Sequence, residues 1–181
     1  PFEIVSGRAL AFADNDYVLS YDVRFMAHKG PCVNPTVLPQ DGGRGYRALV
    51  YDYGGQLVMD ISRCDGAKPD GTKSDPVSLV KANWDAPWSV NMDRPLHVTV
   101  SVQVLSDRTV ITLQAEGTAP DGQPFTSPLL KAEDISPERI THGAAPLFDY
   151  IYPGADNAGT WVSHVVVRDR TGQVVFDSTK A

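Results

Sequence analysis

The chain has 181 residues, 42 % of them hydrophobic and 21 % charged, an ordinary balance for one globular domain over residues 1–181. Its net charge of −6 argues against a nucleic-acid partner, because that affinity comes chiefly from Lys and Arg neutralising phosphates. No apolar run approaches the roughly 20 residues that span a bilayer, so no membrane span is expected.

The chain starts at Pro1 rather than Met and reads as processed or trimmed. In the stretch FADNDY, Asp14, Asn15 and Asp16 offer oxygens of the kind calcium takes, although Asn/Asp turn chemistry explains them more simply. DYVLSYDVRF then alternates with period two. Tyr17, Leu19, Tyr21, Val23 and Phe25 share one face of a strand, and Val18, Ser20, Asp22 and Arg24 share the other. HKGPCVNPTVLPQDGGRG, crowded with Pro and Gly, reads as a long loop.

RALVYDYGGQLVMDIS reads as a hairpin closed by a two-residue Gly54-Gly55 turn. That turn pairs Tyr53 with Gln56, Tyr51 with Val58, Leu49 with Asp60 and Arg47 with Ser62. The intervening pairs, Val50 with Met59 and Ala48 with Ile61, are apolar and belong to the core. A second Gly/Pro loop, CDGAKPDGTKSDP, follows. Trp84 and Trp88 in ANWDAPWSV, in a Pro-broken segment, read first as covering the core's end, with an aromatic rim over a cleft as the other reading and Trp88 as its binding candidate. LHVTVSVQVLSDRTVITLQAEG forms a second hairpin, turning at Ser106-Asp107. Its core pairs are Val98 with Ala115, Val100 with Leu113 and Val102 with Ile111. Its other face pairs His97 with Glu116, Thr99 with Gln114, Ser101 with Thr112 and Gln103 with Val110.

KAEDISPERI predicts a short helical turn, with Ser136 as cap and Pro137 at the first helical position. PGADNAGTW, with Asp156 and Asn157, repeats the oxygen-rich loop of FADNDY. TWVSHVVVRDRTGQVVFD predicts a final hairpin around Arg170 to Gly172, with Trp161 in the core. These elements predict an all-β fold: a two-sheet antiparallel β-sandwich of jelly-roll type, with long Gly/Pro-rich loops and at most one short helix.

Cys32 and Cys64 are expected to form a disulfide, with two semi-buried thiols as the alternative. A bridge would place the chain in a secreted or periplasmic compartment.

The second faces of the two hairpins carry the functional expectation. His, Gln, Tyr and Arg side chains offer directional hydrogen bonds of the kind a sugar's hydroxyls accept and donate, and aromatic rings stack on its apolar faces. The plain alternative is a wet sheet surface, with Arg47 pairing Asp60 and His97 pairing Glu116 for about 0–1 kcal/mol each.

In DYVLSYDVRF, RALVYDYGGQLVMDI, RPLHVTVSVQVLSDRTVITLQ and GTWVSHVVVRD, the strand order resembles the concanavalin A-like lectin/glucanase group of jelly rolls. That resemblance implies a concave sheet that binds saccharide, in a group that includes lectins, glycoside hydrolases and polysaccharide lyases. The group's glucanase pattern Glu-x-Asp-x-x-Glu is missing, and the only glutamates are Glu3, Glu116, Glu133 and Glu138. Glycoside hydrolysis needs a carboxylate pair, so it is not expected. Of the strings that alginate-lyase-like members carry, YRALVYD keeps only the Arg and Leu of Arg-x-Glu-Leu.

The leading expectation is therefore saccharide binding by Arg47, Tyr51, Tyr53, Asp60, His97, Gln103, Gln114, Glu116 and Trp88. One alternative is a lyase that uses His97, Tyr51 and Arg47 for β-elimination on a uronate polymer, with Gln103, Gln114 and His164 as further candidates. Another acid–base reaction in a jelly-roll pocket, and a non-catalytic interaction module, also stand as alternatives. No cofactor is expected beyond the calcium alternative. His28, His97, His142 and His164 lack zinc-ligand spacing, and no nucleophile elbow or phosphate loop occurs.

Overall fold

The computed structural model describes residues 15–68, 72, 74–82, 88–152, 154 and 159–180. Among these, the strands in chain order are β1 Tyr17–Phe25, β2 Cys32–Gln40, β3 Arg44–Tyr53, β4 Gln56–Asp65, β5 Val77–Lys81 and β6 Leu96–Val104. They continue with β7 Thr109–Thr118, β8 Pro124–Thr126, β9 Leu130–Asp134, β10 Leu147–Tyr152, β11 Thr160–Asp169 and β12 Val174–Asp177. One sheet has the order β12-β11-β1-β6-β7-β8, with β9 also pairing β7; the other runs β10-β2-β3-β4-β5. All pairings are antiparallel. The architecture is an all-β sandwich, compatible with a jelly roll. The one short helical element among the described residues is a 3-10 turn at Asp41–Gly43, and none of their helices is long and apolar enough to cross a membrane.

Both hairpins adopt the expected registers, pair for pair. Gly54 and Gly55 have φ of 61° and 94°, the left-handed conformation that a tight two-residue turn demands and glycine supplies cheaply. The core sets of both hairpins lie in one buried cluster with Tyr17, Leu19, Tyr21, Val23 and Phe25 of β1. Since one hairpin belongs to each sheet, their second faces point away from that core on opposite sides of the sandwich.

Three expectations about elements are corrected. The supposed loop before Gly45 contains β2, a strand between β10 and β3. Its prolines sit where ladder bonds are broken: Pro35 beside the irregularity at Phe148 and Tyr150 of β10, and Pro39 in a bulge where β2 slips against β3 between Val37 and Gln40. KAEDISPERI is strand β9 and a turn, not a helix. Leu130, Ala132 and Asp134 are buried while Lys131 and Glu133 are exposed, a period of two rather than 3.6. Finally, Cys32 and Cys64 are both buried and form no disulfide. Cys32 lies opposite Tyr51, Tyr51 opposite Val58, and Cys64 six residues further along β4. Their separation of roughly 20 Å far exceeds the ~4–7 Å a bridge spans. The cysteines therefore carry no inference about compartment.

Tyr21 is fully buried, and its hydroxyl has no hydrogen-bond partner. Its ring packs edge-on against Phe148 at 5.0 Å. A buried hydroxyl without a partner loses its water bonds for nothing, at about 1–3 kcal/mol. Tyr21→Phe keeps the ring contact and is expected to leave stability unchanged or raise it by about 1 kcal/mol, measured by denaturant unfolding.

Candidate functional site

The structure separates the predicted site residues into two groups. Arg47, Tyr51, Tyr53 and Asp60 share the outer face of the five-stranded sheet, whereas His97, Gln103, Gln114 and Glu116 lie on the outer face of the seven-stranded one. The core lies between them, so no single concave surface unites the two sets. His97, Tyr51 and Arg47 are not assembled as one catalytic group.

The first face is largely closed. Val58 is fully buried, and Thr36, Ser62, Asn34 and Cys32 are 5–7 % exposed. Arg47, Leu49, Tyr51 and Asp60 are half-buried, while Tyr53 at the hairpin tip is exposed. The Tyr51 and Tyr53 rings lie 6.1 Å apart and tilted by 52°. Burial raises the Tyr51 hydroxyl above the ordinary tyrosine range, helped by the nearby Tyr53, Cys32 and Asp52. A raised hydroxyl holds its proton more tightly, so less of the phenolate that β-elimination would use as base is present, which weighs against that role. Asp60 accepts a hydrogen bond from the Ser78 hydroxyl at 2.6 Å.

Beside this hairpin, His28 Nδ1 meets both carboxylate oxygens of buried Asp52, at 3.0 and 3.2 Å. Burial holds the Asp52 carboxyl above the ordinary aspartate range, although His28 and a Gly55 amide oppose the shift. A carboxyl so raised binds its proton more readily folded than unfolded. Stability from this group is therefore greatest while it is protonated, and falls as pH rises from the ordinary aspartate value through the raised one. Asp52→Asn is expected to flatten that segment of the pH–stability curve, as read by denaturant unfolding at stepped pH.

The second face is open and carries a connected cluster. β1 lies between β11 and β6, so its outward residues meet those of both neighbours. Asp22 accepts from His97 Nδ1 through Oδ1 and from His164 Nδ1 through Oδ2, each at 2.8 Å. One carboxylate thus orients two imidazoles from two different strands. With Nδ1 donating, each neutral ring presents Nε2 as an acceptor on its far side. The histidine side chains are 48 % and 64 % exposed, the Asp22 side chain 22 %. His97 therefore pairs with Asp22, not with Glu116 across the hairpin as the wet-surface alternative has it.

A bulge makes this arrangement. Ser20 faces Val166 and Asp22 faces Ser163, so two residues of β11 oppose Tyr21 alone. His164 at the bulge has φ of 49°, an uncommon backbone state outside glycine that costs on the order of 1–3 kcal/mol. The bulge also reverses the phase of β11. Val165 and Val167 point inward, while Trp161 turns outward and is 54 % exposed. Trp161 thus lies opposite Arg24, two residues along β1 from Asp22, rather than in the core as strict alternation predicts. Asp22 and Trp161 are the residues that sequence reasoning missed as site candidates. Asp22 was visible as an outward strand residue, but its partners depend on non-local pairing.

The remaining candidates are dispersed. Glu116 is exposed opposite His97. Gln114 Nε2 donates to the Ser127 carbonyl at 3.2 Å. Gln103 sits six residues from His97 along β6, roughly 20 Å away. Trp88 is 9 % exposed and packs in the core, so it forms no rim. Its carbonyl accepts from Leu57 N–H, which ties it behind the first hairpin. Trp84, Asp14, Asp156 and Asn157 lie outside the described residues. Asp16 accepts from the Val104 amide at 2.7 Å. Among the described residues, no group of three or more His, Cys, Asp or Glu is placed to hold a metal ion.

A cavity of about 630 Å³ lies elsewhere, at the end of the five-stranded sheet, and contains none of these candidates. Neither a protein-family model nor a curated protein matches the chain.

Proposed function

We propose that the protein binds saccharide, without cleaving it, on the outer face of the seven-stranded sheet. The observation that carries this reading is the His97–Asp22–His164 cluster with Trp161 exposed beside it. The shared carboxylate holds both imidazoles in fixed orientations, so the entropy of ordering them is already spent in the free protein. Their Nε2 atoms suit sugar hydroxyl donors, Glu116 adds an acceptor, and the indole offers a flat ring for stacking. A lectin-like role accords with the concanavalin A-like resemblance, with which the two-sheet sandwich is compatible.

Binding is favoured over lyase chemistry because the proposed catalytic residues lie on opposite exteriors. Calorimetry or a glycan array tests the reading. Saccharide affinity in the millimolar range or tighter is expected, weakened about tenfold by Trp161→Ala or Asp22→Asn, the effect of losing about 1.4 kcal/mol of stacking or orientation. Absence of any saccharide affinity at millimolar concentration, with the protein folded, sinks it. Unsaturated product absorbing near 235 nm from uronate polymers would instead establish the lyase.

A further inference from the structure

The cavity at the end of the five-stranded sheet is independent of the histidine face. Pro39, Gly143, Ala144 and Leu147 give it apolar walls, and Asp41 and Arg44 supply opposite charges. It is a largely open depression of about 630 Å³, so a small ligand would lie against its lining rather than be enclosed by it. The backbone around it is held firmly. Ala144 N–H donates to the Pro39 carbonyl at 2.8 Å, and Gln40 Nε2 donates to the His142 carbonyl at 2.7 Å. Leu38, beneath Pro39, is in the left-handed conformation with φ of 48°, a strained state for a leucine.

The two charges of this cavity do not neutralise each other. Arg44 donates one guanidinium N–H to the Glu138 carbonyl at 3.2 Å, and no ion pair joins it to Asp41. A carboxylate and a guanidinium that line the same partly apolar depression without pairing match a ligand with the reverse charges on neighbouring atoms and an apolar tail. We propose that this cavity binds a free apolar α-amino acid. Arg44 takes the α-carboxylate, Asp41 takes the α-ammonium, and the side chain lies against Pro39, Ala144 and Leu147. Neither charge alone specifies such a ligand. A carboxylate-only compound meets the like charge of Asp41, and an amine-only compound meets that of Arg44.

Three probes that share the isobutyl side chain decide the matter: L-leucine, 4-methylpentanoate and isoamylamine, each titrated calorimetrically into the intact chain. Leucine is expected to bind, with each single-charge analogue about tenfold weaker, the effect of losing about 1.4 kcal/mol from one charged contact. Arg44→Gln is expected to bring leucine down to the level of the amine. Asp41→Asn is expected to bring it to that of the carboxylate. Both side chains lie at the surface, so the variants should fold, which the unfolding midpoint checks. No leucine binding at millimolar concentration overturns the proposal. Equal binding of all three probes, or leucine affinity unchanged in both variants, also overturns it. Saccharide binding on the opposite exterior is unaffected by either outcome.

Discussion

Replacing Arg63 by alanine is expected to cost about 3–5 kcal/mol of folding stability, a large share of the ~5–15 kcal/mol typical of a domain. Arg63 Nη1 meets the two carboxylate oxygens of Asp134 at 3.0 and 3.2 Å, and the Asp134 side chain is only 2 % exposed. Tyr46 donates its hydroxyl to the same carboxylate at 2.9 Å, and the Ser136 amide does so at 3.0 Å. Tyr46 Oη also accepts from the Ile140 amide. The network joins β3, β4 and β9, and so ties one sheet to the other. Burial by itself would raise the Asp134 carboxyl. Hydrogen bonds from Ser136, Arg63 and Tyr46 more than offset that and hold it below the ordinary range.

Its contribution is therefore present above the unfolded aspartate value and is lost as pH falls through the folded one. In Arg63→Ala the carboxylate stays buried with its cationic partner gone, which is the expensive outcome. Exchanging both residues for apolar ones of similar volume is expected to cost far less. Denaturant unfolding of Arg63→Ala, Asp134→Leu and the double variant measures the coupling. Additive losses would mean that the ion pair contributes nothing.

The second large effect is expected at Gly143. A Cβ there would collide with the backbone of Leu38, which is buried and already strained. No flexible side chain can move aside, so Gly143→Ala must displace one backbone segment from another. A cost of about 1–3 kcal/mol or more is expected, with disturbance of the Ala144 to Pro39 hydrogen bond. The control is Gly172, at φ of 84° in the β11–β12 turn, where nothing lies within 4 Å of a Cβ. Gly172→Asn tolerates the left-handed state and is expected to cost little, whereas Gly143→Asn should be as damaging as Gly143→Ala. Thermal unfolding of the three variants separates crowding from backbone conformation. Equal losses at both positions would refute the distinction.

Much of the fold is legible in the sequence because it depends on local rules. Period-two alternation set the faces of β1, and two-residue turns set both hairpin registers to the residue, since a one-residue slip would expose every core side chain. What local rules miss are irregularities. Pro35 and Pro39 read as loop residues because a proline inside a strand is tolerated only where the ladder is interrupted, and those interruptions involve strands far away in sequence. Trp161 was expected inward because alternation assumes an unbroken strand, and the bulge at His164 reversed it.

The candidate site divides in the same way. The sequence by itself determined that His97 and Arg47 each lie on a polar second face, because pairing across a tight turn is a short-range matter. Only the tertiary structure decided that these faces look in opposite directions, because the stacking of sheets is set by burying both apolar faces in one core. It alone also brought Asp22 to His97 and His164, residues 75 and 142 positions away along the chain. That contact follows from β1 taking its place between β6 and β11, a choice made by the packing of whole strands and not by any short stretch of sequence.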